Sequence, residues 1–360
     1  MRILVLANFD LGLYNFRKEL LKKLMDMGHE VYISLPYGEM VEQLKSMGCK
    51  FINTALDRRG INPLTDVKLV NKYFKIIDKV KPDKVITYTI KPNIYGGLVC
   101  RIKGIPMYAN ITGLGTAFQS NGILTKLVTA MYKVALKKAK TVFFENIENR
   151  NIIVSRGIVS NKQAHCLHGA GVNIEEYSFC KYPVNGTIKF LFIGRVMREK
   201  GIDELFEAAK HLKNDGEDIV IDIIGPFEDD YKDVVETLDR NGIISYYGYQ
   251  QNVKPFIQEA HCFVLPSYHE GMANTLLECG AMGRPLITSN IHGCLEAVQD
   301  GKTGYLCKVK DADDLYEKMK QFIKLPYEQK KQMGRLSHGH VSNVFDKRKV
   351  VEETIGVIMG

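Results

Sequence analysis

Short apolar runs alternate with amphipathic stretches along the whole chain. The first run, residues 3–7, precedes a predicted helix over 13–27, and Gly28 ends that helix before the apolar run of residues 29–36. Further apolar runs of the first half follow at 83–89, 105–112 and 140–146. Strands that alternate with helices at this spacing predict a doubly wound parallel α/β sheet.

The alternation stops at residues 169–186, which are irregular and contain Gly, Pro and Asn, and it restarts at residue 188. We therefore predict an N-terminal domain over residues 1–183 and a second α/β domain over 184–344. A last helix, 345–360, is expected to pack back on the first domain, because a lone helix needs a surface to bury against. Ligands of such sheets bind at the carboxyl ends of the strands, so we expect a cleft there.

Residues 263–288 form one predicted strand–loop–helix–strand unit with two carboxylates near the strand end. Glu270 lies in the loop and Glu278 lies in the helix. A helix N-terminus between them offers free amides to an anion. We expect these amides to come from Gly271, Met272, Ala273 and Asn274, with Thr275 next to them. The set suits a ligand that is part phosphate and part polyol, such as a sugar nucleotide, although each glutamate alone could be a capping or solvated residue.

The first predicted strand of the second domain ends in Gly194, which is followed by Arg195 and, five residues later, by Lys200. Two cations beside a helix N-terminus are suited to a diphosphate, whose charge develops as the sugar leaves. The alternative is an exposed basic pair beside Glu199 and Asp203, which is a common surface feature.

Strand ends of the first domain carry further candidates. Gly12 follows the first strand, where a bare backbone could approach a phosphate; a tight turn is the alternative, and no GxGxxG dinucleotide fingerprint is present. Possible acceptor-side residues follow other strands, and each could equally be a solvated surface residue. They are Lys91, Thr112 and Gly113 of the run 111–116, Glu145 and Asn146.

The net charge of +8 is divided unevenly. Residues 1–183 contain 27 Lys and Arg against 14 Asp and Glu, a charge of +13, whereas the remainder contains 22 against 27, a charge of −5. The predicted helix over 124–140 carries five lysines and no acid, which suits an anionic membrane surface; a core-packed helix with a solvated lysine face is the alternative. No nucleic-acid-binding module is recognised, so we expect no nucleic acid partner.

Other sequence features indicate an intracellular globular protein. No apolar run reaches the roughly 18–20 residues that cross a bilayer, and the N-terminus resembles a buried strand more than a signal peptide. The eight cysteines show neither CxxC nor metal-ligand spacing, as in a reducing cytoplasm.

Taken together, these residues resemble the retaining glycosyltransferases of family 4. That family has the GT-B fold, in which two Rossmann-like doubly wound parallel-sheet domains face a central cleft. Residues 194–201, GRVMREKG, are similar to its diphosphate-binding string, and Glu270 with Glu278 is similar to its E-x7-E motif. The run 266–287, PSYHEGMANTLLECGAMGRPLI, is highly specific for the family.

The resemblance implies a role for each of these residues. Arg195 and Lys200 would hold the diphosphate, Glu270 the donor sugar and Glu278 the ribose hydroxyls. Gly12 would close over the diphosphate. The loops at Gly225–Pro226 and Tyr249–Gln250 would hold the base, and the amides of 271–274 would hold the donor sugar and its phosphate.

One departure from the family concerns a histidine that many relatives carry after the strand ending here in Asn110 and Thr112. In lacking this histidine, the chain resembles the branch of the family that builds capsule and O-antigen glycans on polyprenyl diphosphate. The resemblance therefore implies transfer from a UDP-sugar, an N-acetylhexosamine or hexose, to a lipid-linked saccharide at the inner face of the plasma membrane. It also implies no metal cofactor, and Asp311 and Asp313 are interpreted as a helix cap. The alternatives are a sugar-nucleotide epimerase of the same fold and a non-catalytic nucleotide-sugar-binding scaffold.

Overall fold

The computed structural model describes residues 1–55, 63–114, 118 and 122–360. The chain divides into two compact units, of which the first is Met1–Ala170 with Lys347–Gly360 and the second is Gly171–Asp346. Each unit contains one parallel sheet, so the predicted class of two Rossmann-like doubly wound domains is confirmed. Within the described ranges, no helix combines the length and the apolar character needed to cross a bilayer.

The sheet of the first unit has seven strands in the order β3-β2-β1-β4-β5-β6-β7, and neighbouring strands run parallel. The central strands are almost entirely buried and mostly apolar because helices cover both faces of the sheet. The strands are β1 Arg2–Leu6, β2 Glu30–Leu35, β3 Lys50–Asn53, β4 Lys84–Tyr88, β5 Met107–Ile111, β6 Thr141–Phe144 and β7 Ala164–Cys166.

The helices of this unit pack on the two faces and form two hydrophobic clusters. They are α1 Asp10–Asp26, α2 Val41–Ser46, α3 Pro63–Val80, α4 Gly97–Lys103, α5 Ile123–Leu136 and α6 Ile147–Ser155. The last helix of the chain, α13 (Lys347–Met359), belongs to the same unit. Its Val350, Ile355 and Ile358 are buried in one cluster with side chains of α1.

The second unit has six parallel strands in the order β10-β9-β8-β11-β12-β13 around a single hydrophobic cluster. Its strands are β8 Ile188–Ile193, β9 Ile219–Ile224, β10 Ser245–Tyr246, β11 Cys262–Leu265, β12 Leu286–Ser289 and β13 Gly304–Cys307. Its helices are α7 Ile202–Asn214, α8 Lys232–Arg240, α9 Lys254–Glu259, α10 Asn274–Ala281, α11 Ala312–Lys324 and α12 Tyr327–Val344.

One predicted boundary was wrong in a way that bears on a candidate residue. Helix α1 begins at Asp10, so Gly12 lies in its first turn and not in a preceding loop. The buried Asp10 carboxylate accepts the Met40 amide at 2.7 Å, which fixes this early start. The helical segment before β5 begins as a π-helix, Pro92–Gly96, that continues into α4. Gly115 and Thr116 of the predicted glycine-rich run lie outside the described residues.

Candidate functional site

Lys200 and Glu270, predicted from separate motifs, meet at the carboxyl edge of the second sheet. The Lys200 ammonium donates to Oε1 of Glu270, and the two side chains are 19% and 11% exposed. The Ser267 hydroxyl donates to the same oxygen at 2.9 Å. Glu270 is therefore held by a cation and a hydroxyl, and its carboxylate has a fixed orientation before any ligand arrives.

Close backbone packing brings the two loops together. Gly201 follows Lys200 with φ of +70°, and a Cβ there would lie 2.0 Å from the Pro266 carbonyl oxygen. The Tyr268 amide donates to the Glu199 carbonyl at 2.9 Å, and its hydroxyl donates to Glu204 at 2.7 Å. The GRVMREKG loop thus rests directly on the loop that carries Glu270, and only glycine fits at the contact.

Arg195 follows β8 and stays half exposed. Its Nη1 lies 3.3 Å from Oε2 of Glu228, with the arginine side chain 43% exposed. Glu228 and Asp229 precede α8, which begins only at Lys232. Asp229 accepts the Arg198 amide at 2.9 Å, so the acidic run supports the basic loop.

Helix α10 begins at Asn274, directly after the loop that carries Glu270. The Ala273 amide is already used, because it donates to the Gly293 carbonyl at 2.8 Å. Met272 is buried, whereas Asn274 and Thr275 are part-exposed at the helix start. The Asn274 Oδ1 is buried and has no hydrogen-bond partner among the residues that the structure describes. An acceptor atom in that state fits a ligand hydroxyl, because a buried polar group needs a partner.

Glu278 lies on α10 one turn beyond its start and is part-exposed. Burial, and after it the negative charge of Glu278, raise the pKa of Tyr177. Tyr177 belongs to the irregular segment at the start of the second unit, where its amide donates to the Asn173 carbonyl at 2.8 Å. A phenol kept neutral beside a carboxylate can donate a hydrogen bond to it and so orient Glu278.

The glycine loops after β8, β9 and β10 are also in contact. A Cβ on Gly225, whose φ is +145°, would lie 1.8 Å from the Gly194 carbonyl oxygen. The Gly225 amide donates to the Gly248 carbonyl at 2.9 Å, and the next residue, Tyr249, is 56% exposed. The Gly225 and Tyr249 loops therefore adjoin one another, and Gln250 donates back to the Tyr247 carbonyl at 2.7 Å.

The first-unit candidates have partners of their own. Lys91 is paired with Asp66 at 2.9 Å. Glu145 accepts from the Arg17 guanidinium at 2.6 Å, and both side chains are nearly buried. Asn146 caps α6 by accepting the Asn149 amide at 2.8 Å.

Thr112 and Gly113 follow β5 and are part-exposed. Asn110, within β5, lies in a buried network in which its side-chain amide donates to the Thr87 carbonyl at 3.2 Å.

No group of three or more His, Cys, Asp or Glu side chains in the described part of the chain is arranged to hold a metal ion. Asp311 caps α11, as predicted, and accepts the Asp314 amide at 2.9 Å.

Sequence reasoning missed several residues that support the site. Ser267 stands three positions before Glu270 in the same loop, so its contact with that carboxylate is local in sequence. Glu228 and Tyr177 gave no such signal, because each reaches the site from a segment that carries no recognisable motif.

Two family models match the chain. Residues 174–337 match the model for glycosyl transferases group 1, and residues 2–146 match the model for glycosyl transferase 4-like domains. The two matches fall on the second and first units respectively.

Named relatives cover most of the chain. The N,N'-diacetylbacillosaminyl-diphospho-undecaprenol alpha-1,3-N-acetylgalactosaminyltransferase of Campylobacter jejuni is 29% identical and covers 89% of this chain and 88% of its own. The UDP-Gal:alpha-D-GlcNAc-diphosphoundecaprenol alpha-1,3-galactosyltransferase of Escherichia coli is 27% identical, covering 71% and 70%. The capsular polysaccharide biosynthesis glycosyltransferase CapM of Staphylococcus aureus is 24% identical, covering 87% and 86%.

Solved structures with the same fold cover nearly all of the chain. A glycosyltransferase from Rickettsia africae superposes with a TM-score of 0.81 at 18% identity, covering 99% of this chain and 97% of that one. Anabaena HepE in complex with UDP-glucose superposes with a TM-score of 0.80 at 15% identity, covering 99% of both chains.

Proposed function

We propose that this chain, which belongs to the glycosyltransferases with a 4-like domain and a group 1 domain, transfers a sugar from a UDP-sugar to a lipid-linked saccharide. The family is the one that its motifs predicted. The observation that carries the proposal is the Lys200–Glu270–Ser267 cluster at the strand ends of the second unit. The product would be a building block of a capsule, an O-antigen or a related cell-surface glycan.

In this proposal the second unit binds the donor. Lys200 and the exposed face of Arg195 neutralise the diphosphate as its charge develops, which is the contribution that a metal ion makes in other transferases. Glu270 orients the donor sugar and Glu278 binds the ribose, with Asn274 Oδ1 accepting from a hydroxyl. The adjoining Gly225 and Tyr249 loops hold the base.

The choice of UDP rests on the Escherichia coli relative, whose name gives a UDP-sugar, and on the HepE complexes with UDP and UDP-glucose. The choice of a polyprenyl diphosphate acceptor rests on the two relatives named for undecaprenol-linked substrates. The sugar is an N-acetylhexosamine or a hexose, as in those two relatives.

The donor is tested with purified protein and a panel of UDP-, GDP- and ADP-sugars, each with a polyprenyl diphosphate-linked saccharide as acceptor. We expect transfer from a UDP-sugar, and Glu270→Ala should abolish it. The matched control is Glu259→Ala, because Glu259 is also paired with a lysine of the second unit but is 68% exposed and lies outside the site. Unchanged turnover in Glu270→Ala, or conversion of the free donor to its epimer without an acceptor, would overturn the proposal.

The proposal includes peripheral contact with an anionic membrane through α5 and the lysines that follow it. On this helix Leu124, Leu127 and Val134 are 40%, 51% and 49% exposed, and exposed lysines lie between and beyond them. Exposed apolar side chains beside lysines favour the interface of a bilayer with anionic head groups.

Sedimentation with vesicles of phosphatidylglycerol and phosphatidylcholine tests this contact. Changing Lys133, Lys137 and Lys138 together to Gln should release the protein, since each basic residue contributes about 1 kcal/mol near such a surface. Changing Lys302, Lys308 and Lys324, which are exposed on the second unit, removes the same charge elsewhere and should have little effect. Equal release by the two triple variants would show that only net charge matters.

A further inference from the structure

An apolar groove of about 270 Å³ opens on the first unit between the π-helix Pro92–Gly96 and α5. One wall includes Ile94 and Leu98, and the other includes Ala130, Met131 and Val134. Tyr95 and Ala135 complete the lining, whose side chains are apolar apart from the Tyr95 hydroxyl. A groove of this size is at the small end for ligand sites, so it fits a short apolar segment and not a whole long chain.

The backbone around the groove departs from ordinary geometry. Thr89, three residues before the π-helix, has a φ of +73°, which a β-branched residue rarely adopts. Its carbonyl accepts the Asn93 amide at 3.0 Å, which anchors the start of the π-helix. At Gly97 a Cβ would lie 3.2 Å from the Ala135 carbonyl oxygen, so α4 and α5 pack closely beside the groove. Single turns of π-helix occur frequently at functional sites.

Cations lie at the groove and acids do not occur on its longer wall. Lys91 immediately precedes the π-helix at the carboxyl end of β4. Lys133 and Lys137 are exposed on the α5 side, and the sequence of Ile123–Leu136 contains no Asp or Glu. Lys91 is paired with Asp66 at 2.9 Å. It stands three residues before Ile94 of the groove wall, and an apolar groove adjoined by a cation matches an amphiphile with an anionic head.

We propose that this groove binds the isoprenoid units nearest to the diphosphate of the lipid-linked acceptor, with the rest of the chain remaining in the bilayer. The inference rests on the lipid-linked acceptor proposed above. The position of Lys91 favours the acceptor over a bulk membrane lipid, because it lies at a strand end of the sheet, where ligands of this fold bind. A bulk lipid would keep its head group in the plane of the membrane.

The probe is farnesyl diphosphate, and its affinity is compared with that of inorganic diphosphate for the full chain. Val134→Ser changes the groove wall, and Leu127→Ser is its matched control, because the two side chains are 49% and 51% exposed on one helix while only Val134 lines the groove. Ala130→Trp fills the groove from a part of α5 where the side chain is exposed. We expect Val134→Ser and Ala130→Trp to weaken farnesyl diphosphate binding by about tenfold and Leu127→Ser by less than about twofold.

In the transfer assay the same two groove variants should raise the KM for the polyprenyl-linked acceptor and leave kcat and the KM for the donor unchanged. Equal effects of Val134→Ser and Leu127→Ser would overturn the inference, and so would inorganic diphosphate binding as tightly as farnesyl diphosphate. Equally effective competition by decyl phosphocholine would assign the groove to a bulk lipid instead. Binding and transfer are separate readouts. If the groove variants transfer sugar with an unchanged KM for the acceptor, only this inference is overturned. If farnesyl diphosphate binding depends on the groove but no sugar is transferred, only the proposed reaction is overturned.

Discussion

Both units place an arginine near the carboxyl edge of a parallel sheet and pair it with a glutamate, yet the two arginines differ in exposure. Arg195 of the second unit is 43% exposed and lies 3.3 Å from Glu228. Arg17 of the first unit is 11% exposed, lies 2.6 Å from Glu145 and stacks 5.1 Å from the centroid of the Tyr88 ring. The residue types are the same, and burial decides whether the charge is open to solvent or enclosed by the protein.

The difference has an energetic reason. A buried ion pair must recover the desolvation of both charges, so removal of one partner is strongly destabilising. An exposed pair contributes little to stability, and its cation remains available to an anionic ligand at small expense in free energy. We therefore expect substitution of Arg17 to act mainly on folding and substitution of Arg195 to act mainly on catalysis.

The largest effect on stability is expected for Arg17→Met. The change leaves the Glu145 carboxylate buried without its guanidinium, and such losses lower the free energy of unfolding by about 3–5 kcal/mol. Urea denaturation followed by circular dichroism measures it. Arg195→Met is the matched control, for which we expect a loss of less than about 1 kcal/mol, because that pair is half exposed. Similar losses in both variants would break the comparison between the two units.

The largest effect on activity is expected for Lys200→Gln. Removal of one preorganised group that stabilises developing charge lowers kcat by about 100- to 1000-fold. Lys91→Gln is the control in the first unit, since that lysine is also paired with one carboxylate and is 14% exposed, close to the 19% of Lys200. We expect it to lower kcat by less than about tenfold. A larger loss in Lys91→Gln than in Lys200→Gln would reverse the proposed roles.

A smaller effect is expected for Gly201→Ala, which tests the close packing that distinguishes the second unit. The φ of +70° and the 2.0 Å approach of the Pro266 carbonyl oxygen oppose any Cβ, and we expect about 2–3 kcal/mol of lost stability. Gly242→Ala is the control, because its φ is similar at +66° while no atom lies within 4 Å of the added Cβ. Equal losses in the two variants would attribute the effect to φ alone and not to the contact with Pro266.

Much of the fold could be predicted from the sequence because its central strands are continuous apolar runs. Strands that lack this signature were missed: β7 is the run Ala164–Cys166, which is only half buried, and β13 is the four-residue run Gly304–Cys307. The π-helix could not be predicted either, since its sequence also suits an α-helix. Gly12 was misplaced because the contact that starts α1 at Asp10 comes from Met40, in another loop.

The candidate site was predictable where one short motif contains its residues. Lys200 and Glu270 were found from local strings, and the structure brings their side chains together. The partners Glu228 and Tyr177 come from distant segments, and local sequence contains no information on which distant side chains will meet. Burial, which separates Arg17 from Arg195, is likewise a tertiary property.

The smallest expected effect is on the pH dependence of stability. It concerns the amino edge of each sheet, opposite the carboxyl edge, where one histidine precedes a strand in each unit. His261 precedes β11 and is buried; its Nδ1 accepts the Lys189 amide at 3.1 Å and its Nε2 faces the Val184 carbonyl at 3.0 Å. Burial lowers its pKa below 6.5, the value expected for the unfolded chain. Between these two values the unfolded chain binds more protons, so the free energy of unfolding falls as pH decreases below about 6.5 and is unaffected above it. His29, before β2, also has a lowered pKa, mainly through burial, but its side chain is part-exposed.

We expect His261→Gln to remove part of the stability that is lost between pH 7.5 and 5.5, because the variant no longer takes up a proton on unfolding at this position. Urea denaturation at both pH values measures the change, and His29→Gln should remove less of it. The pH profile of kcat should be the same in His261→Gln as in the unchanged protein, since His261 lies at the edge of the sheet opposite Lys200 and Glu270. A shifted kcat profile, or an equal effect of the two histidine variants on stability, would contradict this separation of folding from catalysis along the sheet.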